Sequence, residues 1–90
     1  MKSIWKYTFT DPFAREFDIP TGGVVRHVGE QSGKICMWVE VDTEATPEIR
    51  EFFIIGTGHN FPQDVDNVEY LGTCKLQSGQ FVFHVYEVIS

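Results

Sequence analysis

The segment Gly56-Thr57-Gly58-His59-Asn60-Phe61-Pro62 gathers more potential chemistry than any other short stretch of this chain. Its two glycines let the backbone approach a ligand closely or adopt positive φ. Thr57, His59 and Asn60 add a hydroxyl, an imidazole and an amide. A turn of this kind can hold a phosphate, a carboxylate or a base edge with main-chain N–H groups. It is not a P-loop, because no Gly-Lys-Ser/Thr follows and no helix opens there. The plain structural alternative is a strand end that turns sharply and is stiffened by Pro62. If an anion binds, Arg50 on the strand leading into the turn is the expected bidentate partner, with Arg26 and Lys75 as other candidate cations. Phe61 would then cover an apolar ring or wall.

The remaining reactive side chains lack motif spacing. His27, His59 and His84 have no neighbours at the short intervals of a zinc site, so no metal is expected. Cys36 and Cys74 sit in strand patterns, not on exposed elbows, and read as buried thiols of a reducing cytoplasm. Asp64, Asp66 and Glu69 are close in sequence but read as solvated loop carboxylates. No catalytic set and no cofactor are expected, and an enzyme ranks third among the readings.

These residues must be positioned by strands. Gln31-Ser32-Gly33-Lys34-Ile35-Cys36-Met37-Trp38-Val39 recurs at a constant offset as Gln77-Ser78-Gly79-Gln80-Phe81-Val82-Phe83-His84-Val85. Each is a Ser-Gly turn between strand formers, hence a hairpin. Alternation marks further strands over 4–10, 15–19, 24–31 and 34–42, with Asp11-Pro12 as a break and Val24, Arg26 and Val28 sharing a face. After a loop over 43–48, Phe52-Phe53-Ile54-Ile55 requires burial on both faces of a strand over 49–57. An irregular stretch over 58–67 precedes the closing hairpin. The expected fold is all-β, a small antiparallel sandwich or partly open barrel of about seven strands, in one domain over 1–90. A short helical turn near Pro47 or Asp64 stays open, as does an origin of the two hairpins by duplication.

Phe81, Phe83 and Val85 point to one side of the last strand, and Val82, His84, Tyr86 and Val88 to the other. Ile35, Met37, Val39 and Val41 likewise oppose Cys36 and Trp38. A small sandwich should leave its outer faces polar, yet Trp38, His84 and Tyr86 stand there. Either another part of the chain covers them, for example the 43–48 loop or the first strand, or a second copy does. The latter gives a homodimer or higher homo-oligomer with Trp38, His84 and Tyr86 at the interface.

The net charge of −6, with seven scattered basic residues, argues against direct nucleic-acid binding. No apolar run approaches the roughly 20 residues of a membrane span. Met1-Lys2-Ser3 leads straight into a patterned strand, so no secretory leader is expected.

Ile4-Trp5-Lys6-Tyr7, Gly56-Thr57-Gly58-His59, Tyr70-Leu71-Gly72-Thr73 and Phe81-Val82-Phe83-His84-Val85-Tyr86-Glu87 together resemble a family of short phage and bacterial proteins of unknown function. The resemblance spans essentially the whole chain. It implies a small stand-alone cytoplasmic protein encoded by a phage or prophage, and supplies no activity or binding residues. Two functions fit these observations. One is a non-enzymatic protein that sequesters a small anionic ligand such as a host signalling nucleotide, antagonising host defence. The other is a protein–protein interaction module that inhibits a host protein or serves as a phage accessory part, which the acidic charge suits.

Overall fold

Apolar–polar alternation and Gly-centred turns fold the chain into strands with two short hairpins. The computed structural model describes residues 1–10 and 16–90. The Asp11-Pro12 break and Arg15, the expected start of the second strand, lie outside the described residues. The strands are β1 (Lys2–Phe9), β2 (Glu16–Pro20), β3 (Val24–Gln31), β4 (Lys34–Asp42), β5 (Pro47–Gly56), β6 (Val68–Leu76) and β7 (Phe81–Val88). They form two antiparallel sheets of order β1-β4-β3 and β2-β5-β7-β6. The sheets do not close into a barrel, so the sandwich is the form adopted. Among the described residues there is no helix, and thus none long and apolar enough to cross a membrane.

The inner faces carry the expected residues. Ile35, Met37, Val39 and Val41 of β4 meet Phe52 and Val85 of the larger sheet, with Phe9, Ile19, Val28 and Cys74 completing the core. Phe17 joins the sheets through edge-to-face contacts with Tyr7, Phe9 and Phe52. Burying a side chain such as Phe52 stabilises by about 1.5–3 kcal/mol. Cys36 and Cys74 are free and buried; burial raises the Cys74 thiol pKa, with the nearby Glu30 and Cys36 acting in the same direction.

Both repeated hairpins form. Ser32 and Gly33 take φ of 54° and 78°, the double positive φ of a tight primed turn. The second turn is wider: its last ladder pair is Leu76 with Phe81, and Gln77, Ser78 and Gly79 all have positive φ. Each hairpin is bulged, between Val25 and His27 in β3 and between Tyr70 and Gly72 in β6. The first bulge corrects the expected face shared by Val24 and Val28. The extra residue reverses the alternation, so Val28 is buried while Val24 is 43% exposed. The loop before β5 is also shorter than expected, since β5 begins at Pro47. The two bulged strands β3 and β6 lie against each other. A Cβ on Gly72 would stand 2.8 Å from the Val28 Cβ, so only glycine permits this approach.

Candidate functional site

Phe53 and Ile55 of β5 point away from the core, yet they are only 1% and 7% exposed. Their cover is the chain itself. Beyond β5, the 57–67 loop returns over the outer face of the larger sheet and sets Phe61 against Phe53 and Tyr86, at 5.3 and 4.9 Å between ring centroids. Phe53 and Tyr86 stack nearly parallel at 5.3 Å, and Tyr70 meets Tyr86 edge-on. The run Phe52–Ile55 is thus buried on both faces, as its composition required. The cover is the 57–67 loop rather than the 43–48 loop or β1. Tyr86 is enclosed by Phe53, Phe61 and Tyr70 of its own chain, so a second copy is not needed to shield it.

Next to the rings runs a chain of polar groups. The Thr57 hydroxyl lies 2.8 Å from His84 Nε2, and the Thr73 hydroxyl lies 3.0 Å from His84 Nδ1. The Tyr70 hydroxyl bonds that of Thr73. A neutral imidazole has one donor and one acceptor nitrogen, and hydroxyls can serve either way. The chain can therefore run from Tyr70 through Thr73 and His84 to Thr57, or in reverse. In the reverse sense, the Tyr70 O–H is left to donate outward. Among the described residues, His84 is held on both sides by neutral hydroxyls, without the carboxylate that orients the histidine of a hydrolytic triad. This arrangement fixes a ring and presents hydrogen bonds, which suits recognition.

Thr73 and Tyr70 were not singled out as site residues from the sequence. Three positions apart, they would face opposite sides of a regular strand. The bulge at Leu71 turns both outward.

The Gly56–Phe61 turn joins this face. The Thr57 N–H donates to the Val82 carbonyl at 3.2 Å, extending the β5–β7 ladder. The His59 N–H donates to the Gly56 carbonyl at 3.0 Å, and Gly58 takes φ of 89°. The His59 ring lies on Gly56, where a Cβ would be 3.0 Å from Nδ1. Asn60 is exposed. Gly56, Thr57, His59, Gln80, Phe81, Val82 and Phe83 line an open cleft of about 480 Å³ beside the turn. Thr57, His59, Phe61, His84 and Tyr86, nominated as two separate groups, thus belong to one continuous region.

Arg50 and Trp38 do not join it. Arg50 lies six residues back along β5, about 20 Å away at the rise of a strand. It points to the inner face. Its Nε and Nη2 donate to Glu87 Oε2 and Oε1 at 2.6 and 2.7 Å, and Nη1 donates to the Gly23 carbonyl at 2.6 Å. The hydrogen bonds it donates to the Glu87 carboxylate hold the Arg50 pKa above its ordinary value. The guanidinium is committed to internal partners, which corrects its assignment as the anion's partner at the turn. Arg26 is also elsewhere, donating from Nε to Glu40 on the smaller sheet at 3.1 Å. Lys75 is the cation in register, since it pairs with Val82, the neighbour of Thr57. Trp38 stands on the outer face of the smaller sheet, with its ring 5.6 Å from that of His27. It is across the sandwich from His84 and Tyr86.

Residues 1–90 match a family described as a domain of unknown function, DUF7352. The chain belongs to that family. A family without assigned function is consistent with the resemblance seen in the sequence motifs. No curated protein and no solved structure matches this DUF7352 chain. Among its described residues, no group of three His, Cys, Asp or Glu side chains is placed to hold a metal ion.

Proposed function

We propose that this DUF7352 protein is a non-enzymatic binding protein that takes a small ligand on the outer face of its larger sheet. A nucleotide, such as a host signalling nucleotide, fits the surface in its chemistry. Its ring would lie against Phe61, and its polar edge would meet the turn and the hydroxyl–imidazole chain. Lys75 would face its phosphate. The observation that carries this reading is the Thr57–His84–Thr73–Tyr70 chain, which opens beside exposed aromatic rings and a cleft. In this reading the protein is encoded by a phage, acts in the host cytoplasm as a homo-oligomer, and counters a host defence by sequestration.

The test is to purify the protein from cells, release bound small molecules by heating, and record their absorbance. A nucleotide spectrum is expected. Replacing His59 and Asn60 together by Ala should weaken binding by ~1–3 kcal/mol, through lost hydrogen bonds to a charged group, and leave folding intact. A blank release, or a double variant that retains full binding, would sink the reading.

A second reading has its own observation. Glu48, Glu51 and Glu69 line an open cleft of about 660 Å³ at the Arg50 end of the sandwich. With the overall charge of −6, this end suits a basic partner protein by electrostatic complementarity. A stable complex with a host protein and a blank ligand release would favour it.

A further inference from the structure

The sandwich has four edge strands, and three of them are blunted. Over the described residues β2 has five residues, and it ends in Pro20. β3 and β6 are both bulged and lie against each other at Val28 and Gly72. Short length, proline and bulges are the usual protections of a sheet edge. β1 has none of these. It pairs with β4 without interruption from Lys2–Asp42 to Phe9–Ile35, and among the described residues β4 is its only neighbour in the sheet. It exposes apolar surface on both faces, with Ile4 52% and Trp5 40% accessible. Its two lysines are drawn back over their own sheet: Lys2 Nζ donates to Glu40 at 3.2 Å and Lys6 Nζ to Gln31 at 2.6 Å.

The backbone shows which groups face outward. The Thr43 N–H donates to the Met1 carbonyl at 2.8 Å, in register with the β1–β4 ladder. Met1 therefore points toward β4. By alternation, Lys2, Ile4, Lys6 and Thr8 direct their N–H and C=O groups away from the sheet.

We propose that β1 pairs antiparallel with β1 of a second copy, Trp5 opposite Trp5, which joins the two smaller sheets into one of six strands. Self-pairing about a twofold axis is the simplest closed assembly, and the length and charges of β1 together select the register, since centring on Ser3 or Tyr7 pairs a shorter length of the strand. Centring on Ile4 would place Lys2 opposite Lys6 of the second copy, and centring on Lys6 would oppose the two Lys6 side chains. Like charges directly opposite destabilise a pair. Centring on Trp5 puts Ile4 opposite Lys6 and Lys2 opposite Thr8, with no lysine facing lysine. It also makes Trp5–Trp5 a non-hydrogen-bonded pair, the closer of the two kinds, and hides the exposed indole.

The proposal specifies the homo-oligomer of the ligand reading and uses a surface apart from the ligand site, so a monomer would overturn the assembly while ligand release still tests the site. Sedimentation equilibrium of the full chain should give a dimer. Ile4→Lys creates two lysine–lysine oppositions and should weaken the dimer about tenfold, with an unchanged circular dichroism spectrum. Trp5→Cys should form a covalent dimer under mild oxidant. Ile4→Cys should not, because those positions are diagonal in this register and beyond disulfide reach. Wild-type protein treated in parallel controls for Cys36 and Cys74. A monomer at high concentration, a dimer indifferent to Ile4→Lys, or cross-linking at position 4 but not position 5 would each overturn the proposal.

Discussion

The β3–β4 and β6–β7 hairpins share a sequence phrase, a ladder register and a bulge shifted by one residue. They carry different chemistry on nearly the same backbone. Inward, Ile35, Met37, Val39 and Val41 correspond to Phe81, Phe83, Val85 and Glu87. Outward, Trp38 and Glu40 correspond to His84 and Tyr86. Where the first hairpin buries Val41 at 1% exposure, the second buries Glu87 at 6% with Arg50 as its partner. Where the first leaves Glu40 to bind Lys2 and Arg26 at the surface, the second roofs Tyr86 with Phe61. Backbone placement is thus separable from surface chemistry, and the 57–67 loop is what makes one outer face unlike the other.

The contrast breaks most severely at Glu87. Glu87→Ala leaves the half-buried Arg50 guanidinium with only the Gly23 carbonyl as partner and should cost about 2–3 kcal/mol in urea unfolding. Pairing Arg50→Met with Glu87→Leu, which makes the second hairpin resemble the first, should recover most of that loss. If the double variant is no more stable than the single, the pair is not a self-contained unit.

Uncovering the outer face comes next. Phe61→Ala should cost roughly 1–2 kcal/mol, below a fully buried ring because Phe61 is 44% exposed. Amides of β5 and β7 should then exchange faster while those of β4 do not. Equal acceleration in both sheets would mean the loop is not a local roof.

The turns differ more gently. Gln77 and Ser78 both hold positive φ without being glycine. Gln77→Gly should therefore stabilise by about 1 kcal/mol, since the left-handed conformation costs a side chain roughly that much. No gain in the unfolding midpoint would contradict this.

The smallest effect concerns pH. Hydrogen bonds from Lys2 and Arg26 hold Glu40 below the usual carboxylate range. The Glu44 N–H and the amino terminus do the same for Asp42. A carboxylate with a lowered folded-state pKa contributes stability that is present above its unfolded value and lost as pH falls through the folded one. Acidification through that window should loosen the start of β1, read as lower hydrogen-exchange protection there, relative to the intrinsic rate at each pH. Unchanged protection would show the tethers to be inert.

Much of the fold was legible because strand alternation and Ser-Gly turns are local signals. The strands, both hairpins and the inward set on β4 and β7 follow from period two, the Ser-Gly turns and the apolar run Phe52–Ile55. What escaped was non-local or period-breaking. The bulge at Leu71 hid the partnership of Tyr70 with Thr73, and that at Arg26 reversed the face of Val24. Arg50 was assigned by nearness in sequence to the turn, but six residues of strand carried it to the other end of the sandwich. The outer aromatics were recognised as needing cover. That the cover is Phe61 depended on the path of an irregular loop, which has no period to read.

The close approach of Gly72 to Val28 has a kinetic consequence. Each sheet contains one hairpin that can form within microseconds from neighbours in sequence, whereas β1–β4, β2–β5 and β5–β7 must close longer loops. The chain can therefore nucleate twice, once per sheet, and the two nuclei share a seam where β3 meets β6. A side chain at position 72 obstructs that meeting without touching either hairpin's own ladder. Gly72→Ala should slow refolding with each turn still formed early, a separation that stopped-flow measurements on the variant would resolve.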